Sequence, residues 1–311
     1  MTLSLNTLCQ QLNLEPESLN LYDSKFKFKA HQDYVNQIKP NDANDPLLKQ
    51  ILPIQLEIKT HPNYKTDPVG DLQKNPTPSL IHKYHGRVLL MASPKCDIHC
   101  RYCFRRHFPY EAQINQRHWQ TALEVIKADV SIHEVILSGG DPLSLSEGAL
   151  VGLIEKIEKI KHIQTLRIHS RTPIVAPSQS PQAVFLNWAK SSRLNKVLVV
   201  HCNHANELST RTSGLLNLYR EVGFQLLNQS VLLKGVNDQL ETLMALSHAL
   251  LKQGVLPYYL HQLDKVQGAS HFEVPDKTAI ELHNQLRKNL PGYLVPKLVR
   301  EIADQPYKTP L

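Results

Sequence analysis

Short runs of β-branched and aliphatic residues recur along this chain from residue 87 onwards, and they constrain its fold more than any other feature. After the first interval they follow one another at about thirty residues, the length of a strand–loop–helix unit. The runs cover residues 88–91, 135–137, 166–168, 196–200, 225–227 and 256–260. Each is almost continuously apolar, which is typical of parallel strands covered on both faces. The pattern predicts an α/β fold with six strand–helix units, a partial (βα)6 TIM-like barrel.

Helical periodicity fills the intervals between these runs. Apolar residues stand at helical spacing over residues 150–160 and 240–251, as on the buried face of an amphipathic helix. The first eighty residues are instead rich in Asn, Gln, Pro and charged residues, with helical patches over 3–12 and 34–37. We therefore expect an N-terminal helical region and connector over residues 1–80, the barrel over 81–275, and a C-terminal segment over 276–311.

Charge and composition exclude several protein classes. The formal net charge of +7 would permit contact with nucleic acid,. The lysines and arginines are scattered through the sequence, so we expect a solvated cationic surface and no nucleic-acid partner. No stretch is long and apolar enough to span a membrane, and the first residues lack the pattern of a signal peptide. A cytoplasmic location is expected.

Three of the five cysteines, Cys96, Cys100 and Cys103, lie within the segment KCDIHCRYCFRR. An odd and clustered set argues against a disulfide framework. A structural zinc site usually takes four protein ligands, and Cys9 and Cys202 are distant in the sequence. Three thiolates can instead hold three irons of a cubane and leave the fourth iron open to another ligand. The segment therefore predicts a [4Fe–4S] site.

Polar residues follow the predicted strands, at the ends where the active sites of α/β barrels lie. The cysteine segment follows the first strand, and residues 138–141, with the sequence SGGD, follow the second. By itself the SGGD group is typical of a strand-to-helix turn, in which glycines relieve strain and Asp or Ser caps the next helix. The groups after later strands contain His169, Arg171, His201, His204, Asn228, Gln229, His261 and Asp264.

Several sequence blocks, in order and at compatible spacing, resemble those of the lysine 2,3-aminomutase family. They are CRYCFRR, SGGDPL, HCNHANE, NQSVLLKGVND, PYYLHQLD, GYLVPK and the terminal KTP. The resemblance extends from about residue 45 to the end. It implies a radical S-adenosylmethionine isomerase that converts α-lysine to β-lysine with a [4Fe–4S] cluster, S-adenosylmethionine and pyridoxal 5′-phosphate. Within the family the chain is most similar to the enzymes that supply β-lysine for elongation factor P.

The resemblance also implies roles for individual residues. Lys308 would carry pyridoxal phosphate, although a lysine near a terminus is otherwise read as solvated. Cys96, Cys100 and Cys103 would hold the cluster. The remaining predicted residues are Ser138, Gly139, Gly140, Asp141 and His201 for S-adenosylmethionine, Lys83, Tyr84, Arg87 and Gln229 for pyridoxal phosphate, and Arg105, Asp264 and Glu301 for the substrate. The expected partners are lysine, an external electron donor, and elongation factor P with its separate ligase.

The chain departs from the family pattern in two places. Glu301 stands where lysine-degrading members carry Asp, which keeps the charge but lengthens the side chain by one methylene. The C-terminal extension with zinc-binding cysteines is missing, so the oligomer of the longer enzymes is not carried over. A 2,3-aminomutase for arginine or glutamate is one alternative function, although paired acids favour a cationic substrate. A non-enzymatic iron–sulfur protein is another, although it would not need Arg105, Asp264 and Lys308 together.

Overall fold

The computed structural model describes residues 2–311, and one open mixed sheet organises most of them. The strands are β1 (Thr2–Leu3), β2 (Ala30–His31), β3 (Leu80–Tyr84), β4 (Arg87–Ser93), β5 (Glu134–Gly139), β6 (Thr165–Ser170), β7 (Asn195–Val200), β8 (Phe224–Val231), β9 (Leu256–His261), β10 (Lys297–Arg300) and β11 (Thr309–Pro310). The large sheet has the order β11-β10-β9-β8-β7-β6-β5-β4-β3, and β1 pairs with β2 separately.

Helices alternate with the central strands. The α-helices are α1 (Leu5–Leu12), α2 (Gln32–Val35), α3 (Pro46–Lys49), α4 (Tyr110–Gln113), α5 (Gln116–Ala128), α6 (Glu147–Glu158), α7 (Thr172–Val175), α8 (Ala183–Ser191), α9 (Thr210–Glu221), α10 (Leu240–Lys252) and α11 (Asp276–Asn289). Short 3-10 helices cover Pro16–Leu19, Gln55–Ile58, Leu72–Lys74, Pro142–Ser144, Pro177–Gln179, Ala205–Glu207, Ser270–Phe272 and Gly292–Leu294. None of the helices within residues 2–311 is long and apolar enough to cross a bilayer.

The predicted (βα)6 architecture is confirmed. Strands β4 to β9 run parallel to one another, and each is followed by a helix before the next strand. Helix α6 shows why the apolar spacing matters, since Leu150, Leu153, Ile154 and Ile157 are all buried against the sheet layer. Burying each such side chain contributes about 1.5–3 kcal/mol. The sheet does not close into a barrel, because its outer neighbours are β3 and β11.

The N-terminal region shares its core with the barrel. Buried Leu8, Leu47 and Ile51 belong to the same continuous apolar cluster as Leu90 and Leu137 of the central strands. The helical patch that begins this region is confirmed as α1, whose first turn is capped by the side chain of Ser4,. The division into three parts stays a prediction.

The C-terminal segment adds two strands that the sequence analysis did not predict. Strand β10 pairs parallel with β9, and β11 returns antiparallel to β10. Both are short, and β11 contains Pro310, so neither shows a strand pattern in the sequence. Their pairing brings residues 301–308 back towards the ends of the parallel strands.

Candidate active site

A cavity of about 1470 Å³ lies at the carboxyl ends of the parallel strands. Its walls come from the loop after β4, from the ends of β5 to β9, and from the C-terminal segment. Every residue for which the sequence analysis predicted a cofactor or substrate role lines this cavity. The fold therefore brings together side chains that lie between residues 83 and 308 of the chain.

Three free cysteines lie on the loop after β4, the cysteine loop (residues 94–109). Cys96, Cys100 and Cys103 are partly buried and line the cavity. A turn joins the last two, because the Cys103 N–H donates to the Cys100 carbonyl oxygen at 3.0 Å. Burial and the neighbouring Cys100 raise the pKa of Cys103 to about 11. This thiol is therefore protonated at neutral pH and must lose its proton to bind a metal.

The arrangement of these thiols fits a cluster better than a single metal ion. Among residues 2–311, no group of three or more His, Cys, Asp and Glu side chains is placed to hold one ion. Ligands of one zinc ion must converge on a single point at about 2.0–2.3 Å. In an iron–sulfur cubane each thiolate binds a different iron, so the three sulfurs need not converge. Three thiols facing one cavity satisfy that weaker requirement.

A buried arginine without a role in the sequence analysis contacts the cysteine loop. Arg171 Nη1 donates to Cys100 Sγ and to the Tyr102 hydroxyl, both at 2.6 Å. Its Nη2 donates to Gln50 Oε1 at 2.8 Å and to Glu207 Oε2 at 2.9 Å. Arg171 is 7% exposed and Glu207 is 0% exposed, so the pair lies out of water. It joins the cysteine loop to the N-terminal region and to the segment after β7.

A second buried ion pair holds the same loop on the N-terminal region. Arg101 donates from Nε and Nη2 to the two carboxylate oxygens of Glu57, at 2.7 and 2.6 Å. Arg106 Nη2 donates to Glu57 Oε2 at 2.5 Å. The two-pronged contact fixes both the distance and the orientation of the Arg101 guanidinium. Arg101 and Arg106, which lie close to Cys100 and Cys103 in the sequence, are therefore held by a residue of the N-terminal region.

The glycines at the end of β5 let two backbone segments approach closely. A Cβ atom on Gly139 would lie 2.6 Å from the Ser93 carbonyl oxygen, and one on Gly140 would lie 2.4 Å from that of Lys95. Gly139 also has a φ of 124°, which side chains disfavour,. Any residue other than glycine at either position would push the cysteine loop away from β5.

The Asp141 carboxylate is held by donors of the chain itself. Its Oδ1 accepts from Ser170 Oγ at 2.6 Å and from the Leu143 N–H at 3.0 Å. Its Oδ2 accepts from the N–H groups of Arg171 and Thr172 at 2.6 and 2.9 Å. Burial raises the pKa of Asp141 to about 6 against the lowering effect of these bonds. The side chain ties the end of β5 to the end of β6, and its contact with S-adenosylmethionine stays a prediction.

His201, directly after β7, is uncharged and lies beside the cysteine loop. Its Nε2 is 2.8 Å from the Tyr102 hydroxyl. Burial and the positive charge of Arg171 lower the pKa of His201 to about 3. A neutral imidazole at this position suits a neighbour of a cationic ligand, because it adds no positive charge.

Glu301 is the centre of a group of polar side chains at the C-terminal end of the cavity. Lys308 Nζ donates to Glu301 Oε2 at 2.5 Å, and the Tyr84 hydroxyl donates to Oε1 at 2.6 Å. Lys83 Nζ lies 3.5 Å from the same Oε1. Burial raises the pKa of Glu301, but the charges of Lys308 and Lys83 and the hydrogen bonds from Lys308 and Tyr84 together outweigh it and hold the pKa below its usual value. Glu301 is therefore ionised at neutral pH.

Asp71 continues this group towards Arg105 and was missed by the sequence analysis. Its Oδ1 lies 2.7 Å from Lys83 Nζ, and its Oδ2 accepts from Arg105 Nε at 2.7 Å. Arg105 Nη1 also donates to Ser138 Oγ at 3.2 Å. Burial raises the pKa of Asp71, but Arg105 and Lys83 outweigh it and keep it low. The sequence offered no signal, because Asp71 stands in a connector rich in Pro, Asp and Lys.

Asp264 completes the acidic side of the cavity. Burial raises the pKa of Asp264 to about 7, while Lys308 lowers it and Glu301 raises it. At neutral pH this carboxyl group is therefore only partly ionised. A second cation entering the cavity would favour its ionised form.

The residues predicted to hold a cofactor phosphate lie in the same cavity. The Arg87 guanidinium carbon is 4.6 Å from the centre of the Tyr84 ring, and Gln229 lies within β8. Lys83 and Tyr84 contact the acids Asp71 and Glu301 in this structure. Their contact with a phosphate group stays a prediction.

Comparison with known sequences shows which proteins this chain is similar to. A family described as "4Fe-4S single cluster domain" matches residues 85–180. The chain is 48% identical over 287 residues to the L-lysine 2,3-aminomutase of Escherichia coli (strain K12), which covers 92% of this chain and 83% of that protein. It is 45% identical over 285 residues to the L-lysine 2,3-aminomutase of Haemophilus influenzae, covering 91% and 84%. The enzyme of the same name from Clostridium subterminale is 36% identical over 282 residues, covering 89% and 67%.

The raised pKa of Asp264 predicts a pH-dependent stability of the cofactor-free protein. Its folded pKa of about 7 exceeds the unfolded value of about 3.9, so the folded state binds the proton more tightly. The contribution of the Asp264 proton to the free energy of unfolding is fully present below about pH 4, and it is lost as the pH rises through about 7. Asp264→Asn should therefore gain about 1–3 kcal/mol over wild type between pH 5 and pH 8. Urea unfolding across this range measures the difference. The control is the exposed Glu221→Gln, and parallel curves for wild type and Asp264→Asn would contradict the prediction.

The ion pair of Arg171 predicts a strongly non-additive mutational effect. Arg171→Met leaves the carboxylate of Glu207 buried without its cation, which should lower the free energy of unfolding by about 3–5 kcal/mol. The double variant with Glu207→Gln removes that charge and should recover part of the loss. Denaturant unfolding of wild type, Arg171→Met, Glu207→Gln and the double variant, all without metal, checks this. Losses that simply add would show that the two side chains are not coupled.

Proposed function

The chain belongs to the L-lysine 2,3-aminomutase family, and from that premise we propose that it converts α-lysine to β-lysine by moving the amino group from C2 to C3. One observation carries the proposal. A single cavity holds a buried arginine, Arg105, a pair of acids, Asp264 and Glu301, and a lysine, Lys308. A substrate with a carboxylate at one end and an ammonium at the other matches these charges.

The residues present fit the three cofactors of such an enzyme. We propose that Cys96, Cys100 and Cys103 hold the [4Fe–4S] cluster and that Lys308 binds pyridoxal 5′-phosphate. When bound, the cluster and S-adenosylmethionine supply an adenosyl radical, and pyridoxal phosphate supplies a π-system that stabilises the substrate radical. The proposed neighbours of S-adenosylmethionine are Ser138, Gly139, Gly140, Asp141 and His201, and those of pyridoxal phosphate are Lys83, Tyr84, Arg87 and Gln229.

Arg105 is proposed to bind the substrate α-carboxylate. Its Nε donates a hydrogen bond to Asp71. The guanidinium has further N–H groups, and Arg105 lines the cavity. A planar guanidinium can bind a carboxylate through two parallel hydrogen bonds. We propose Asp71 as a positioning residue, because its bond to Nε restricts rotation of the guanidinium. A fixed carboxylate in turn fixes which hydrogen of the substrate faces the radical.

Asp264 and Glu301 are proposed to bind the distal ammonium of lysine. In the cofactor-free structure Lys308 pairs with Glu301 at 2.5 Å. Lys308 would hold the cofactor, and the Glu301 carboxylate, which already accepts from a cation, would pair with the substrate ammonium. Asp264, with a pKa of about 7, would then ionise fully beside the incoming ammonium. Two acids disfavour glutamate as a substrate, because like charges would be buried together.

The biological context follows from the resemblance to one subgroup. We propose that the β-lysine product serves the modification of elongation factor P through a separate ligase. An external electron donor would be required to bring the cluster into its reduced state, whereas the isomerisation itself consumes no electrons. A cytoplasmic location would suit both partners.

The assignment of Lys308 predicts the outcome of cofactor labelling. After incubation with pyridoxal phosphate, borohydride reduction and peptide mapping should place the label on Lys308. Lys308→Ala should lose the label while retaining its cluster and its fold, because the residue is 25% exposed in a terminal segment. Lys83→Ala is the matched control, since Lys83 lines the same cavity and should not carry the label. A label on Lys83 would overturn the assignment.

The substrate assignment is tested by anaerobic assay of the reconstituted enzyme with free lysine and chiral analysis of the product. Asp264→Asn keeps the shape of the side chain but removes its charge. The KM for lysine should rise about tenfold to a thousandfold, equivalent to about 1.4–4 kcal/mol. Arg105→Lys should instead lower kcat, because the carboxylate loses its alignment. Unchanged lysine kinetics in Asp264→Asn, or a wild-type preference for glutamate, would show that the substrate is wrong.

A further inference from the structure

We infer that residues 25–29, with the sequence KFKFK, form part of the docking surface for an acidic electron-donor protein. This segment, the lysine strip, carries three lysines in five residues. The inference rests on the proposed function, because a [4Fe–4S] cluster in this protein would need electrons from outside. It goes further by naming the surface at which they enter and the charge of the partner.

The lysine strip lies directly on the cysteine loop. The His99 N–H donates to the Lys29 carbonyl oxygen at 2.9 Å, and His99 Nδ1 lies 2.7 Å from the Lys27 carbonyl oxygen. Arg101 Nη1 donates to the Phe26 carbonyl oxygen at 2.7 Å. His99 and Arg101 are the two residues that flank Cys100 in the chain. A protein docked on the strip would therefore sit one residue away from a cluster ligand, connected through hydrogen bonds and covalent bonds.

The strip presents its lysines outwards and its aromatic rings inwards. Lys25 and Lys27 are exposed, whereas Phe26 and Phe28 are partly buried. The Phe26 ring stacks on His99 with ring centres 4.7 Å apart, and Phe28 packs against the main apolar core. Both rings are thus occupied within the protein. A single-stranded nucleic acid needs free aromatic faces on which its bases stack, so the strip fits a charged protein surface better.

The charge of the strip selects an acidic partner. Lys95, directly before Cys96, is also exposed and lines the cavity together with Phe26. Lys27 is paired with Asp23 at 2.8 Å, but both side chains are largely exposed, and such a pair contributes little. Opposite charges on two surfaces steer their encounter and raise the association rate by about 10–10³-fold, an effect that salt weakens. A small one-electron carrier with an acidic face would gain both rate and orientation here.

The test measures reduction of the cluster, not turnover of lysine. The reconstituted holoenzyme is mixed anaerobically with a reduced plant-type [2Fe–2S] ferredoxin, and bleaching of the cluster is followed by stopped flow. Lys25→Glu/Lys27→Glu should lower the second-order rate constant about tenfold at low ionic strength. The matched control is Lys156→Glu/Lys159→Glu, which changes the net charge equally. These lysines are exposed at the end of α6, which leads to the start of β6 and so to the ends of the parallel strands opposite the cavity. The control should keep the wild-type rate.

The outcomes separate docking from other effects. A slow strip variant whose rate returns to wild type in high salt, with iron content and midpoint potential unchanged, supports the inference. Equal slowing of both double variants would show an effect of net charge alone and would overturn it. So would a strip variant that is reduced at the wild-type rate, or one that stays slow at every salt concentration. Wild-type protein that holds no cluster would overturn the proposed function and this inference with it.

Discussion

Two buried ion pairs hold the cysteine loop, and the geometry of the cavity depends on them. Arg101 is bound through two hydrogen bonds to Glu57, and Arg171 bridges Glu207 and Cys100. Removing one member of such a pair leaves an uncompensated charge in a medium of low polarity, which costs several kcal/mol. The loop is therefore stable in one arrangement, with its thiols facing the carboxyl ends of the strands.

A row of charged side chains of alternating sign lines the side of the cavity that faces the C-terminal segment. Arg105, Asp71, Lys83, Glu301 and Lys308 alternate in sign and touch in that order. Each acid lies between two cations, so both acids remain ionised despite burial. The five charges sum to +1, and both acids are paired without a ligand. The proposed substrate ammonium would replace one of these internal cations as a partner of Glu301. Catalytic groups held before the substrate arrives need little reorganisation during the reaction.

The two groups meet through the glycines and Ser138 at the end of β5. Gly139 and Gly140 allow the cysteine loop to pack against that strand, and Ser138 accepts from Arg105. One strand end thus touches both the loop that carries the thiols and the arginine proposed for the substrate. Radical chemistry needs the hydrogen donor and acceptor to be aligned closely. A shared strand end provides that alignment, because few freely rotating bonds lie between the cysteine loop and Arg105.

The sequence by itself determined the six strand–helix units and the three-cysteine loop, because both are local patterns of hydrophobicity and spacing. Its resemblance to a family also selected residues that the fold then gathered in one cavity. Tertiary structure alone decided that β10 and β11 carry Lys308 back to that cavity, since two short strands are formed by their neighbours rather than by their own propensity. It alone decided that Asp71 contacts Arg105 and that Arg171 joins Cys100 to Glu207. A buried charge is recognisable only from its partner, and these partners are distant in the chain.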